Sequence, residues 1–305
     1  QTWRDPLGQA DFQPYEAPEL TADQQNVWLE VQKLLHQAVA GQPAPPVLLH
    51  GVTGSGKTEI YLQAVREALA LGKQAIVLVP EIAVTPQTVR RFAGRFPGQA
   101  GLVHSGLSEG ERYDTWRRAR AGELGLVVGP RSALFSPLPD LGLIVVDECH
   151  DDSYYQSESI PHYHARDAAI LYARLANALC LMGSATPDVV SFYRSQQGES
   201  CYLHLPERIL AHRQAVQAQV ARLEAQSGRT LKIKSRFHPL EAQAEMAELP
   251  PVSIVDMRLE LQSGNRSIFS RPLQEALAQV LENQQQAILF LNRRGSATFV
   301  FCRDC

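Results

Sequence analysis

Short apolar runs alternate with amphipathic stretches over the first two-thirds of the chain. Val47–Leu49, Ala75–Val79, Gly101–His104, Leu126–Val128, Leu143–Val146 and Ala178–Met182 are nearly continuous in apolar residues and predict strands. Pro86–Phe96 and Ser108–Ala121 between them carry helical composition. Thr21, with Gln24 three residues on, predicts a capped helix start, and Gly41–Pro46 ends that helix near Ala40. Apolar strands interleaved with helices predict an α/β fold: a parallel sheet with helices on both faces. In such sheets ligands bind beyond the carboxyl ends of the strands.

The pattern changes after about residue 205. His212–Gln226 is rich in Ala and Gln and predicts a helix, and Leu231–Arg236 adds a small basic cluster. Residues 209–249 read as a helical insertion or linker, either solvated or facing DNA. From Pro250 a second α/β unit is expected, with strands at Val252–Val255 and Ala287–Leu291 around a helix at Pro272–Leu281. The division is therefore 1–18 as a linker from a preceding region, 19–208 as a first lobe, 209–249 as the insertion, and 250–305 as the start of a second lobe. A start without Met and an end soon after a new unit begins suggest a piece of a longer protein.

The chain has 305 residues, 45% hydrophobic and 20% charged, with a formal charge of −3. This is ordinary globular composition, and a small negative charge does not exclude a basic groove for nucleic acid. No apolar run approaches the length of a membrane span. Five cysteines, an odd count with three scattered inside apolar or mixed runs, suit a reducing cytoplasm better than a disulfide framework.

Three motifs fall at predicted strand ends. His50–Glu59 contains Gly51, Gly56, Lys57 and Thr58 at the spacing of a phosphate-cradling loop, between a strand and a helix. Backbone N–H groups of Gly51, Val52, Thr53, Gly54, Ser55 and Gly56 can surround an anion, Lys57 can reach outer phosphates, and the Thr58 hydroxyl can ligate Mg²⁺. Asp147-Glu148-Cys149-His150 follows the strand Leu143–Val146. Asp147 is placed to hold Mg²⁺ and Glu148 to activate a water that attacks the γ-phosphate of ATP. His150 either senses the nucleotide or caps a turn. Gly183-Ser184-Ala185-Thr186-Pro187 follows the strand Ala178–Met182, and Ser184 and Thr186 can hydrogen-bond the acidic segment. Residues 151–167 crowd Tyr154, Tyr155, His162 and Tyr163 beside that segment, offering rings on which bases can stack. Cys302-Arg303-Asp304-Cys305 is a C-x-x-C pair, open to redox, metal or chance readings.

In this order and spacing, GVTGSGKTE, DECH and GSATP resemble the first motor lobe of a superfamily 2 helicase. Leu78–Gln87, His104–Arg112, Arg131–Phe135, Leu205–Arg208, Val255–Arg258 and Leu289–Gly295 sharpen the resemblance to the primosomal replication-restart helicases, the PriA family. That resemblance implies a RecA-like P-loop NTPase fold, 3′→5′ DNA unwinding driven by ATP and Mg²⁺, and forked or single-stranded DNA as partner. Primosome and single-strand-binding proteins are further implied partners. Gln24 or Gln25 would contact adenine, Thr85 and Arg131 would touch the DNA backbone, and the aromatic loop would report DNA occupancy. The resemblance also implies that Cys302 and Cys305 open a Zn²⁺ site needing two further thiols. A fork-binding scaffold with a weak motor, or another superfamily 2 translocase, are the alternatives. Cys149, Pro130 and Tyr155 replace the Glu, Thr and Lys usual in that family, and residues 211–247 exceed its usual linker.

Overall fold

The computed structural model describes residues 4, 7, 17–83, 86–157, 159–212, 237–241, 244–247 and 252–290. The chain divides into two compact units, Gln1–Glu248 and Leu249–Cys305.

The first unit is built on a seven-stranded sheet of order β3-β4-β2-β5-β8-β1-β9 among the described residues. Its strands are β1 (Val47–Gly51), β2 (Gln74–Leu78), β3 (Ala100–Leu102), β4 (Leu126–Gly129), β5 (Leu141–Val146), β8 (Leu179–Ser184) and β9 (Cys201–Leu205), and every pairing is parallel; β6 (Tyr155–Gln156) and β7 (Tyr163–His164) pair antiparallel with each other outside this sheet. The helices are α1 (Ala22–Val39), α2 (Lys57–Ala70), α3 (Pro86–Arg95), α4 (Glu109–Arg120), α5 (Ala165–Leu175) and α6 (Val189–Gln196). Strand residues alternate between two apolar layers. Val47, Leu49, Val77, Val145 and Leu181 pack with α1, α2 and α3, while Leu48, Ile76, Ile144, Val146 and Met182 pack with α4 and α5. Both faces are thus buried, which is why these strands read as continuous apolar runs. Each fully buried aliphatic side chain contributes about 1.5–3 kcal/mol, so a charge at Ile144 or Val145 would break the fold.

All six expected strands of the first lobe are present. β9 was not expected: Cys201-Tyr202-Leu203-His204-Leu205 is an edge strand, only half covered, so its apolar signal is diluted. Helix α1 starts as expected. Thr21 Oγ1 accepts the Gln24 N–H at 3.4 Å and Gln24 Oε1 accepts the Thr21 N–H at 3.0 Å.

The region 209–249 departs from the expected helical insertion. Its described residues form a three-stranded antiparallel sheet of Ile209–His212, Phe237–Glu241 and Ala244–Ala247, in which the last strand lies centrally. Residues 213–236, including most of the expected helix and the basic cluster, lie outside the described residues. The second unit contains helices Met257–Gln262 and Arg271–Glu282, capped by Asp256 and Ser270. Its expected strands are not formed among the described residues. Val252, Ile254, Ile288 and Phe290 are 87%, 95%, 95% and 84% exposed, and a strand without a paired neighbour leaves its ladder groups unsatisfied. The linker expected at 1–18, Thr85, and the Cys302–Cys305 pair lie mainly or wholly outside the described residues.

Candidate active site

The strand order brings the three motifs together, because β1 lies beside β8 and β8 beside β5. Loops leaving the carboxyl ends of these strands share one edge of the sheet.

The loop after β1 turns sharply into α2. Gly54 and Gly56 hold φ of +82° and +83°, a left-handed conformation that glycine adopts without steric cost, and Gly56 caps α2. Its amides lie at the positive end of a 14-residue helix. The Ser55 hydroxyl is buried without a hydrogen-bond partner among the described residues. Lys57, 7% exposed, donates from Nζ to the Gly51 carbonyl at 2.7 Å and lies 3.9 Å from Glu148 Oε1. Two other elements brace the loop. Gln24 Nε2 donates to the Ser55 carbonyl at 3.2 Å, and the Ile209 N–H donates to the Gly54 carbonyl at 2.8 Å. Of the two candidate glutamines, Gln24 therefore meets the loop, while Gln25 is exposed on the next helical position.

Asp147 and Glu148 sit where β5 ends. Asp147 Oδ1 accepts hydrogen bonds from the Glu148 N–H and the Tyr61 hydroxyl, both at 3.0 Å. Burial, and then the neighbouring Glu148 carboxylate, push the Asp147 carboxyl up to about 6. Glu148 has a positive φ of 45°, a strained conformation for a residue with a Cβ and one that clusters at functional sites. His150 is bracketed by the third motif: Nδ1 lies 2.7 Å from Ser184 Oγ, and Nε2 lies 3.3 Å from Thr186 Oγ1. The same Nδ1 is 3.6 Å from Glu148 Oε2. One imidazole thus lies against both the third motif and Glu148.

The aromatic loop is split in its roles. Tyr154 was expected to face DNA, but it is fully buried and donates its hydroxyl to the Asp147 carbonyl at 2.7 Å. Satisfying that buried carbonyl makes it an anchor, and no base can reach its ring. Tyr155 is 49% exposed, His162 is exposed, and the half-buried Tyr163 meets exposed Phe135 edge-to-face at 5.6 Å. Arg131 Nη1 donates to the carbonyls of Tyr155 at 2.6 Å and Ser153 at 3.3 Å. It ties the turn Arg131–Phe135 to the aromatic loop, and its other N–H groups have no partner among the described residues.

Sequence reasoning missed two residues here. Tyr61 is one helical turn beyond Lys57 on α2, a spacing that places both on one face. Phe135 shares an exposed aromatic cluster with Tyr163. Thr58 and Asp147 fit a hard divalent cation, offering a hydroxyl and a carboxylate. Asp147 Oδ2 has no hydrogen-bond partner among the described residues.

A nucleotide loop, an acidic strand end and a hydroxyl-bearing strand end joined by His150 on one parallel sheet define a P-loop NTPase fold. The DEAD/DEAH box helicase model matches residues 23–195, more than half of the chain, and the chain belongs to that family. It is 45% identical over 294 residues to the replication restart protein PriA of Synechocystis sp., covering 95% of this chain and 30% of that protein. The PriA of Bacillus subtilis is 43% identical over 305 residues, covering 100% of this chain and 33% of that protein. The chain thus spans about a third of the length of these relatives. The structure of RecG bound to a three-way DNA junction covers 61% of this chain and 24% of that one at 20% identity, with a TM-score of 0.46.

Proposed function

We propose that this chain is the ATP-binding part of a PriA-type replication-restart helicase, acting on forked and single-stranded DNA with 3′→5′ polarity. The convergence of Lys57, Asp147, Glu148 and the His150–Ser184–Thr186 relay at one sheet edge carries the reading.

ATP phosphates would be wrapped by the amides of residues 51–58, with Lys57 turning its ammonium from the Gly51 carbonyl to the outer phosphates. Thr58 and Asp147 would hold Mg²⁺, which when bound neutralises charge on the transferring phosphoryl group. Glu148 is the base that orients and deprotonates the attacking water. His150 couples that base to Ser184 and Thr186, so a motion of the third motif alters Glu148. Exposed Tyr155 and half-buried Tyr163 supply stacking surfaces for bases, while Arg131 fixes the loop that carries Tyr155. Zinc at Cys302 and Cys305, primosome and single-strand-binding partners, and a cytoplasmic location belong to the same proposal. No helix among the described residues is long and apolar enough to cross a membrane.

Nucleotide binding by the unmutated chain and by Lys57→Ala tests the core of this reading. A fluorescent ATP analogue with Mg²⁺ should bind the former, and the substitution should weaken binding by at least about 10-fold, as expected for loss of a charge-assisted phosphate contact. Equal binding by both would sink the assignment. Strand displacement by the full-length protein then separates a motor from a scaffold.

A further inference from the structure

Tyr61 is 1% exposed on α2, and the function above leaves it unused. Its ring packs in the apolar layer beneath α1 and α2. Its hydroxyl meets two motifs at once. It donates to Asp147 Oδ1 at 3.0 Å, and it fills the space beside Gly183, where a methyl group would overlap the hydroxyl. A tyrosine used only to fill this space would need no polar end. Here the hydroxyl reaches the one carboxylate placed to hold a cation.

The geometry at Asp147 gives that bond a purpose. Oδ1 accepts from Tyr61 and from the Glu148 N–H, and two donors from different directions fix the carboxylate plane. Oδ2 has no partner among the described residues. We propose that Tyr61 is a positioning residue that pins Asp147 through Oδ1 so that Oδ2 faces the divalent cation accompanying the nucleotide. The inference rests on the nucleotide-site reading above. Partners that orient a metal ligand in this way typically change metal affinity 10- to 100-fold when removed.

The test uses the full chain and a fluorescent ATP analogue, titrated with Mg²⁺ or held in EDTA. Tyr61→Phe keeps the ring and removes only the oxygen. It should leave nucleotide affinity in EDTA unchanged and raise the Mg²⁺ concentration at half-maximal effect by about 10-fold. An unchanged Mg²⁺ midpoint overturns the proposal. Asp147→Asn supplies the control for a purely structural role. In that background the Mg²⁺ response is already lost, so adding Tyr61→Phe should change nothing further. Equal losses of nucleotide affinity from Tyr61→Phe in both backgrounds would mean that the tyrosine only supports the core, and would overturn the proposal. Failure of the unmutated chain to bind nucleotide at all is a different pattern, and removes the nucleotide-site reading itself.

Discussion

Asp147 carries an electrostatic cost that the apo fold tolerates. Its carboxyl is pushed up to about 6 from an ordinary 3.8, first by burial and then by Glu148. The folded chain therefore keeps this proton over a pH range in which the unfolded chain has released it. The stability from this group is fully present below about pH 4 and is lost as pH rises through about 6. Asp147→Asn should accordingly raise the protein's stability at pH 7 by about 3 kcal/mol and leave it little changed at pH 4, measured by urea unfolding at both values. Equal effects at both pH values would contradict this account. The chemistry-bearing residues were legible because phosphate binding constrains residue type and spacing together, as in Gly51–Thr58. Tyr154 was misread because a tyrosine in a polar loop looks the same whether its ring packs inward or faces a base. Only the Asp147 carbonyl that accepts its hydroxyl, a partner invisible in the sequence, decides the matter.

At the level of elements, α1 does more than cover the sheet. Its capping glutamine holds the Thr21 N–H through Oε1 and the Ser55 carbonyl through Nε2, so the helix start and the phosphate loop share one side chain. Thr21→Ala removes the cap and should cost about 1 kcal/mol, seen as a fall in melting temperature of about 2–4 °C. Gln24→Ala should lower melting similarly and also weaken nucleotide binding, because it frees the Ser55 carbonyl. Elements were legible where burial was two-sided. Val145 and Ile144 face opposite apolar layers, so β5 reads as one apolar run. β9 was missed because its edge position leaves His204 exposed and breaks the run. The expected strands at 252–255 and 287–291 had the right residue types, but strand composition describes a half-buried surface and cannot supply the partner that a ladder needs.

For the whole molecule, thiol chemistry offers a reporter of global unfolding. Cys149 and Cys180 are buried in the layer under α5, and burial pushes the Cys149 thiol up to about 12 and Cys180 higher still. Neither should react with a thiol reagent in the native state, and both should react together when the sheet unfolds, at the rate of global opening. Peptide mapping after a brief labelling pulse checks this; early labelling of Cys149 alone would show that the acidic segment opens by itself. The sheet order also governs how the chain reaches this state. β1 carries the phosphate loop and ends at Gly51, yet its neighbours β8 and β9 begin only at Leu179 and Cys201. Pairings this distant in sequence slow folding, and synthesis proceeds from the N-terminus at about 5–20 residues per second. The phosphate loop thus emerges from the ribosome before the strands that flank it, and waits several seconds, at about that rate, for β8 and β9 to follow. During that interval Val47, Leu48 and Leu49 lack their final neighbours, which makes the nascent lobe a natural client for holding chaperones.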